Sequence, residues 1–147
     1  MLAWIQRVLG RGKETAARAG GRGAEGERLA AAFLRGELGY EVVARNWRNP
    51  RDRREEIDLV CRDGEALVFV EVKSRAATAR VPGFAAVNRR KRRVLRRAIH
   101  AYLTGLRIRP RTFRFDVAEV ADGGEAKPVV RHFQNVRLFP KRYHVLR

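Results

Sequence analysis

The dipeptide Asp63-Gly64 lies between two runs of strand-forming residues, 56–61 and 66–73. An Asp-Gly pair in that setting is the strongest short-range signal for a tight β-hairpin. It makes the two runs antiparallel neighbours and fixes the middle of a sheet. The second run holds Leu67-Val-Phe-Val70, apolar on both faces, which places it centrally with cover on both sides. Whatever else the chain forms must pack around this pair.

The flanking patterns supply that cover. Over 24–38, Ala30, Phe33, Leu34 and Leu38 recur at helical spacing, and Gly39 is a natural stop. A strand over 40–46 follows, and Asn49-Pro50-Arg51-Asp52 reads as a turn. After the hairpin, 74–87 reads as a long loop containing Pro82-Gly83. Asn88 is placed to cap a helix running to about 103, with Val94, Leu95, Ala98, Ile99 and Tyr102 as its buried stripe. Residues 112–120 alternate cleanly: Phe113, Phe115 and Val117 on one side, Arg114 and Asp116 on the other. A last edge strand is expected over 128–135. The order is α-β-β-β-α-β-β, an α/β domain with a mixed central sheet between helices. Glycines at 10, 12, 20, 21 and 23 mark residues 1–22 as an arm, whose first nine residues suit a short amphipathic helix docking on the domain or on a partner. The domain is expected over 23–136, and 137–147 as a basic C-terminal tail.

Charge narrows the partner. The 147 residues carry 33 Lys and Arg against 16 Asp and Glu, a net charge of +17. That excess strains a compact state, and a polyanion relieves it. Genomic bias can explain why Arg outnumbers Lys, but not why bases outnumber acids twofold. No Asp or Glu occurs between Val72 and Phe115, a stretch that holds Lys73, Arg75, Arg89, Arg90, Lys91, Arg92, Arg93, Arg96 and Arg97. This segment is the expected track for nucleic-acid phosphates. No apolar run reaches the roughly 20 residues of a membrane helix, and the first residues lack a signal-peptide pattern, so a cytoplasmic location is expected. A lone cysteine, Cys61, excludes an internal disulfide and a cysteine metal cage.

The chemistry lies in acids that interrupt the hydrophobic strands. Alternation puts Glu56, Asp58 and Val60 on one face of their strand, and Leu67, Phe69, Glu71 and Lys73 on one face of the next. The hairpin then lays Asp58 across from Glu71 or nearby. Two carboxylates that close repel unless a cation or a proton lies between them. An oxygen-only pair suits Mg²⁺, or Mn²⁺, completed by water and substrate phosphate. Lys73 is informative because only 5 of the 33 basic residues are Lys, and an ammonium differs from a guanidinium beside a reacting centre. Lys91, four before Leu95, joins the inward stripe of its helix. Glu27, three before Ala30, faces inward or at least toward the edge of the apolar stripe, although an acid near a helix start also serves the dipole. Glu56 can pair with Arg53 or Arg54. A solvated acid–lysine pair is the plain alternative to a metal site. His100, His132 and His144 lack ligand spacing and are read as surface or core.

Gly23-Ala-Glu-Gly-Glu27-Arg-Leu-Ala30, Phe33-Leu34, Gly39-Tyr40, Arg45-Asn46, Glu56-Ile-Asp-Leu-Val60, Phe69-Val-Glu-Val-Lys-Ser-Arg75, Lys91 and Arg114-Phe-Asp-Val117, in this order, resemble the YraN family of bacterial proteins. That family is similar to the PD-(D/E)XK nuclease superfamily, and within it to Holliday-junction resolvases. The resemblance implies a restriction-endonuclease-like three-layer fold. It implies Asp58 and Glu71 as metal ligands, Lys73 as the catalytic lysine, and Glu27 and Lys91 as members of the site. Two positions depart from the pattern: Ile57 replaces the superfamily's proline, and Glu55 its usual glycine. The expected function is a divalent-metal-dependent endonuclease on DNA, branched or damaged DNA included. The alternative is a non-catalytic nucleic-acid-binding module on the same fold. A third reading is an adaptor whose N-terminal arm recruits a protein or an anionic membrane. Resolvases act as dimers, so a homodimer is an expectation from resemblance alone.

Overall fold

The computed structural model describes residues 21–76, 87–123, 125–141 and 143. Helix α1 (Gly21–Gly36) leads into strands β1 (Glu41–Arg48), β2 (Glu56–Asp63) and β3 (Ala66–Ala76). Helix α2 (Arg89–Gly105) returns the chain to β4 (Thr112–Asp122) and β5 (Val129–Phe133). The sheet order is β1-β2-β3-β4-β5, with only β3 and β4 parallel. The element order matches the sequence reading. Residues 1–20, most of the expected arm, lie outside the described residues, as does His144.

The hairpin forms as read, with one refinement. Asp63 pairs with Ala66, so Gly64 and Glu65 are the turn. Gly64 has φ +58 and Glu65 has no positive φ, the sign pattern of a type II′ turn. Asp63 is freed to accept from Arg114 at 2.9 Å. Asn88 caps α2 by accepting from the Lys91 amide at 2.9 Å. β3 extends through Ala76, so Ser74 and Arg75, read as loop, continue the strand.

Two cores flank the sheet. On one side α2 lays Leu95, Ala98, Ile99 and Tyr102 on Phe69, Phe115 and Val117. On the other, α1 lays Ala30, Ala31 and Leu34 on Val68, Val70, Ala118 and Val120. The result is the three-layer restriction-endonuclease-like arrangement. The chain past β5 also packs: Leu138 is buried in the α2-side core with Val136 and Phe139 against it. The packed unit therefore includes residues read from sequence as the start of a tail. Arg92 and Arg96 hold that segment, donating to the Arg137 and Leu138 carbonyls at 3.0 and 3.3 Å. Among the described residues no helix is long and apolar enough to cross a membrane.

Gly26 lets α1 approach β3. A Cβ there would collide with the Ser74 hydroxyl, whereas one at Gly23 would meet nothing within 4 Å. Gly26→Val should therefore cost about 1–3 kcal/mol by overpacking, against less than about 0.5 kcal/mol for Gly23→Val; urea denaturation of the two variants checks the contrast. Burial, with the nearby Asp116 charge, pushes the Cys61 thiol up to about 12. Cys61 should resist alkylation by iodoacetamide at pH 8 until the protein is unfolded, which mass spectrometry reads directly.

Candidate metal centre

The β2–β3 ladder runs from Asp63↔Ala66 to Leu59↔Val70 and stops. The next positions on the two strands are Asp58 and Glu71. No backbone pair forms there; the Val72 amide donates instead to Asp58 Oδ2 at 2.8 Å. A side chain thus replaces a rung of the ladder, opening the sheet while satisfying a part-buried donor. On the other flank Asn46 lies between the β1–β2 pairs Arg45↔Leu59 and Trp47↔Ile57, opposite Asp58, with φ +48. Both strands roll over at this point. Ile57 enters the α2-side core and Leu59 the α1-side core, although they are two apart.

This corrects the alternation read from sequence. Val60 packs in the same core as Ile57, so Glu56, Asp58 and Val60 do not share a simple face. The reason is the left-handed residue on β1 and the missing rung on β3. The consequence is that Asp58 lies on the seam between the layers and feels charges from both helices, Glu27 on α1 and Lys91 on α2.

Glu71 lies on the face of β3 that looks toward α2 and is 2% exposed. Its Oε1 meets Lys73 Nζ at 3.1 Å and Lys91 Nζ at 3.3 Å. Its Oε2 is buried with no hydrogen-bond partner. An unsatisfied buried carboxylate oxygen is costly, and functional sites are where such atoms persist. Burial, reinforced by the Glu71 charge, pushes the Asp58 carboxyl up to about 8, against the pull of the Val72 amide and Lys91. Glu27, half-buried, is raised by burial and by the Glu56 and Glu71 charges, and eased by a hydrogen bond to the Asn46 side chain.

The structure therefore gathers Asp58, Glu71, Lys73 and Lys91 into one cluster, with Glu27 within its field. Among the described residues no three Asp, Glu, His or Cys side chains form a ready-made cage. The donor set is instead two carboxylates with an orphaned oxygen, which fits a hard cation that keeps most of its water. Lys73 and Lys91 are about a third exposed and reachable from solvent. Glu56 pairs with Arg48 at 2.9 Å, not with Arg53 or Arg54; Arg54 pairs with Asp52.

The basic residues of α2 divide. Arg89, Arg90, Arg93 and Arg97 are exposed along its outer face. Arg92 and Arg96, read as phosphate contacts, spend donors on backbone carbonyls, Arg92 also reaching Val87 O at 2.9 Å. A cavity of about 540 Å³ beside them, bounded by Asn49, Glu55, Arg97, His100, Phe139 and Tyr143, is not lined by the carboxylate pair. Its polar walls already bond each other, Asn49 to Glu55 and His100 to Tyr143. His132 and Arg114 close on the fully buried Asp116 at 2.8 and 3.1 Å, a structural knot that sequence reading missed. Asn46 was missed as well, since an Asn inside a strand run gives no sign of its φ. Glu119 was open to discovery, because the alternation of Phe113, Phe115 and Val117 puts it on the face of Lys73.

The sequence profile of the "Uncharacterised protein family UPF0102" matches residues 26–120, well over half the chain. The protein belongs to the UPF0102 family. A UPF0102 protein of Chlorobaculum tepidum is 45% identical over 98 residues, 67% of this chain and 73% of its own. One from Anaeromyxobacter dehalogenans is 44% identical over 111 residues, 76% and 79% of the two chains. One from Beutenbergia cavernae is 44% identical over 114 residues, 78% and 93%. The matched span of the UPF0102 profile includes Glu27, Asp58, Glu71, Lys73 and Lys91.

A carboxyl raised on folding gives a signed prediction. Asp58 contributes most to stability below about pH 4, where it is protonated in both states. That contribution is lost as pH rises through its folded value of about 8. Asp58→Asn removes the ionisation and can still accept from the Val72 amide. In EDTA the variant should exceed the wild type in stability by more than about 1 kcal/mol at pH 8.5, one pKa unit's worth, and by much less at pH 5. Equal gaps in urea titrations at the two pH values would contradict this.

Proposed function

We propose that this protein is a divalent-metal-dependent endonuclease that hydrolyses DNA phosphodiester bonds, branched or damaged DNA included. The observation that carries this reading is the orphaned Glu71 Oε2 beside the Asp58 carboxyl, two buried acids whose mutual repulsion a cation would relieve. Asp58 and Glu71 would hold Mg²⁺ or Mn²⁺, with Glu27 contributing from α1. When bound, the ion supplies a Lewis acid and an acidified water at that place.

The chain's own groups do the rest. The Val72 amide holds the Asp58 carboxyl in place through its Oδ2. Lys73 and Lys91 both engage Glu71 Oε1, which leaves Oε2 as the free ligand atom and keeps two ammonium groups beside it. An ammonium there offsets charge building on a phosphate during cleavage, an effect worth about 100-fold or more per donor. Outside the site, Arg89, Arg90, Arg93 and Arg97 offer guanidinium groups to phosphates. That face alone would serve a non-catalytic binding module, so turnover must be tested separately from binding.

A panel of duplex, four-way junction, flap and single-stranded DNA, with Mg²⁺ or Mn²⁺ and then EDTA, decides. The wild type should cut at least one substrate only with metal. Asp58→Ala and Lys73→Ala should lose about 100-fold or more of the rate while retaining DNA affinity. Binding without cutting any member of the panel would leave the non-catalytic module as the reading.

A further inference from the structure

Glu71 Oε1 carries two ammonium groups, and they are held in unlike ways. Lys73 lies two residues further along β3, so alternation keeps it on the face of Glu71, about 7 Å away along the strand. Lys91 reaches the same oxygen from α2, a separate element. Its contact is the longer, 3.3 against 3.1 Å, and its side chain the more exposed, 34% against 28%. A lysine stem is flexible. Lys73 therefore stays beside Glu71 whatever the charge there, whereas Lys91 can swing outward along its helix without disturbing the strand.

Charge decides when it does so. With both acids ionised, Asp58 and Glu71 balance Lys73 and Lys91. A divalent cation on Glu71 Oε2 adds two positive charges within a carboxylate's width of both ammonium groups, and Glu27, in the field of Glu71, offsets one of them. The surplus repels the ammonium that is better able to move. The first turn of α2 adds to this. Arg89, Arg90 and Arg92 accompany Lys91 there, with no acid. Bases at a helix start oppose the dipole, so this end of α2 calls for an anion. Glu71 supplies it in the structure, and a nucleic-acid phosphate can supply it once a cation has claimed Glu71.

We propose that Lys91 is a cation-driven switch: it pairs with Glu71 until a divalent cation binds there, then turns outward to grip a phosphate of the incoming DNA beside the exposed Arg89 and Arg90. This rests on the metal-dependent reading above and adds an order of events to it, cation first and DNA second. Lys73 remains as the ammonium next to the carboxylates. By reciprocity, cation and DNA each raise the affinity of the protein for the other.

Acetylation of the intact protein by acetic anhydride, read lysine by lysine in the mass spectrometer, tests this without cleavage. The chain has five lysines, and exposed Lys127 is the internal reference. In EDTA both Lys73 and Lys91 should react more slowly than Lys127. Saturating Ca²⁺, with binding followed by isothermal titration, should quicken Lys91 about threefold or more relative to Lys73, the scale of a partly exposed ion pair. The cation's field acts on both lysines alike, so their ratio is the readout. Added duplex DNA should then protect Lys91 again. Anisotropy of labelled duplex gives an independent measure, with circular dichroism to confirm folding. In Ca²⁺, Lys91→Gln should flatten the log–log salt slope by about 0.9, one phosphate; in EDTA the two slopes should coincide. An unchanged Lys91-to-Lys73 ratio in protein that binds the cation overturns the switch and leaves the metal-dependent reading intact. So does a slope difference already present in EDTA, or cation binding that requires DNA first. No cation binding, with or without DNA, overturns both.

Discussion

Two acids are buried side by side where the sheet opens, and much of the structure answers to that placement. Asp58 and Glu71 are opposed because β2 and β3 form one tight hairpin. They are tolerated because the surroundings compensate in part. The Val72 amide takes one oxygen of Asp58, and two ammonium groups take one oxygen of Glu71. One oxygen is left over. Removing a partner from a buried charge costs more than forming the pair gains, so each compensating group is bound to its place. Lys91 ties the start of α2 to the site, and its amide is also what Asn88 caps. The helix end and the carboxylate cluster are thereby joined through the same residue.

Most of the fold was legible in the sequence because it rests on local signals. The Asp63-Gly64 turn, the Asn88 cap and the stripe of Leu95, Ala98, Ile99 and Tyr102 each declare themselves within a few residues. The inward placement of Lys91 and Glu71 followed from periodicity alone. What periodicity could not give is where it breaks. Asn46 adopts φ +48 in mid-strand, and Ile57 and Leu59 enter opposite cores. That roll depends on three strands at once, so no single window of sequence contains it. The roles of Arg92 and Arg96 were hidden for a similar reason, because their partners lie 45 and 42 residues away.

The two helices contribute differently. α1 comes close to β3 through the absence of a side chain at Gly26, and brings Glu27 with it. α2 presents Lys91 inward and a row of arginines outward, so one helix faces both the carboxylates and the solvent. Its remaining arginines clasp the segment after β5, which places Leu138 in the core. The arginines of α2 thus divide between those that clasp backbone carbonyls and those that stand exposed to solvent.

The connectivity of the sheet bears on how the site is assembled in time. β1, β2 and β3 form a meander of short range in the chain, whereas β3 and β4 are parallel and need the α2 crossover. Local pairings close at lower entropic cost than distant ones. The meander alone would bring the two acids together with Lys73 but without Lys91, which arrives only when the crossover docks. The nascent sheet thus carries an electrostatic burden that its later half relieves, and the rate at which the crossover docks is tied to the ionisation of these acids.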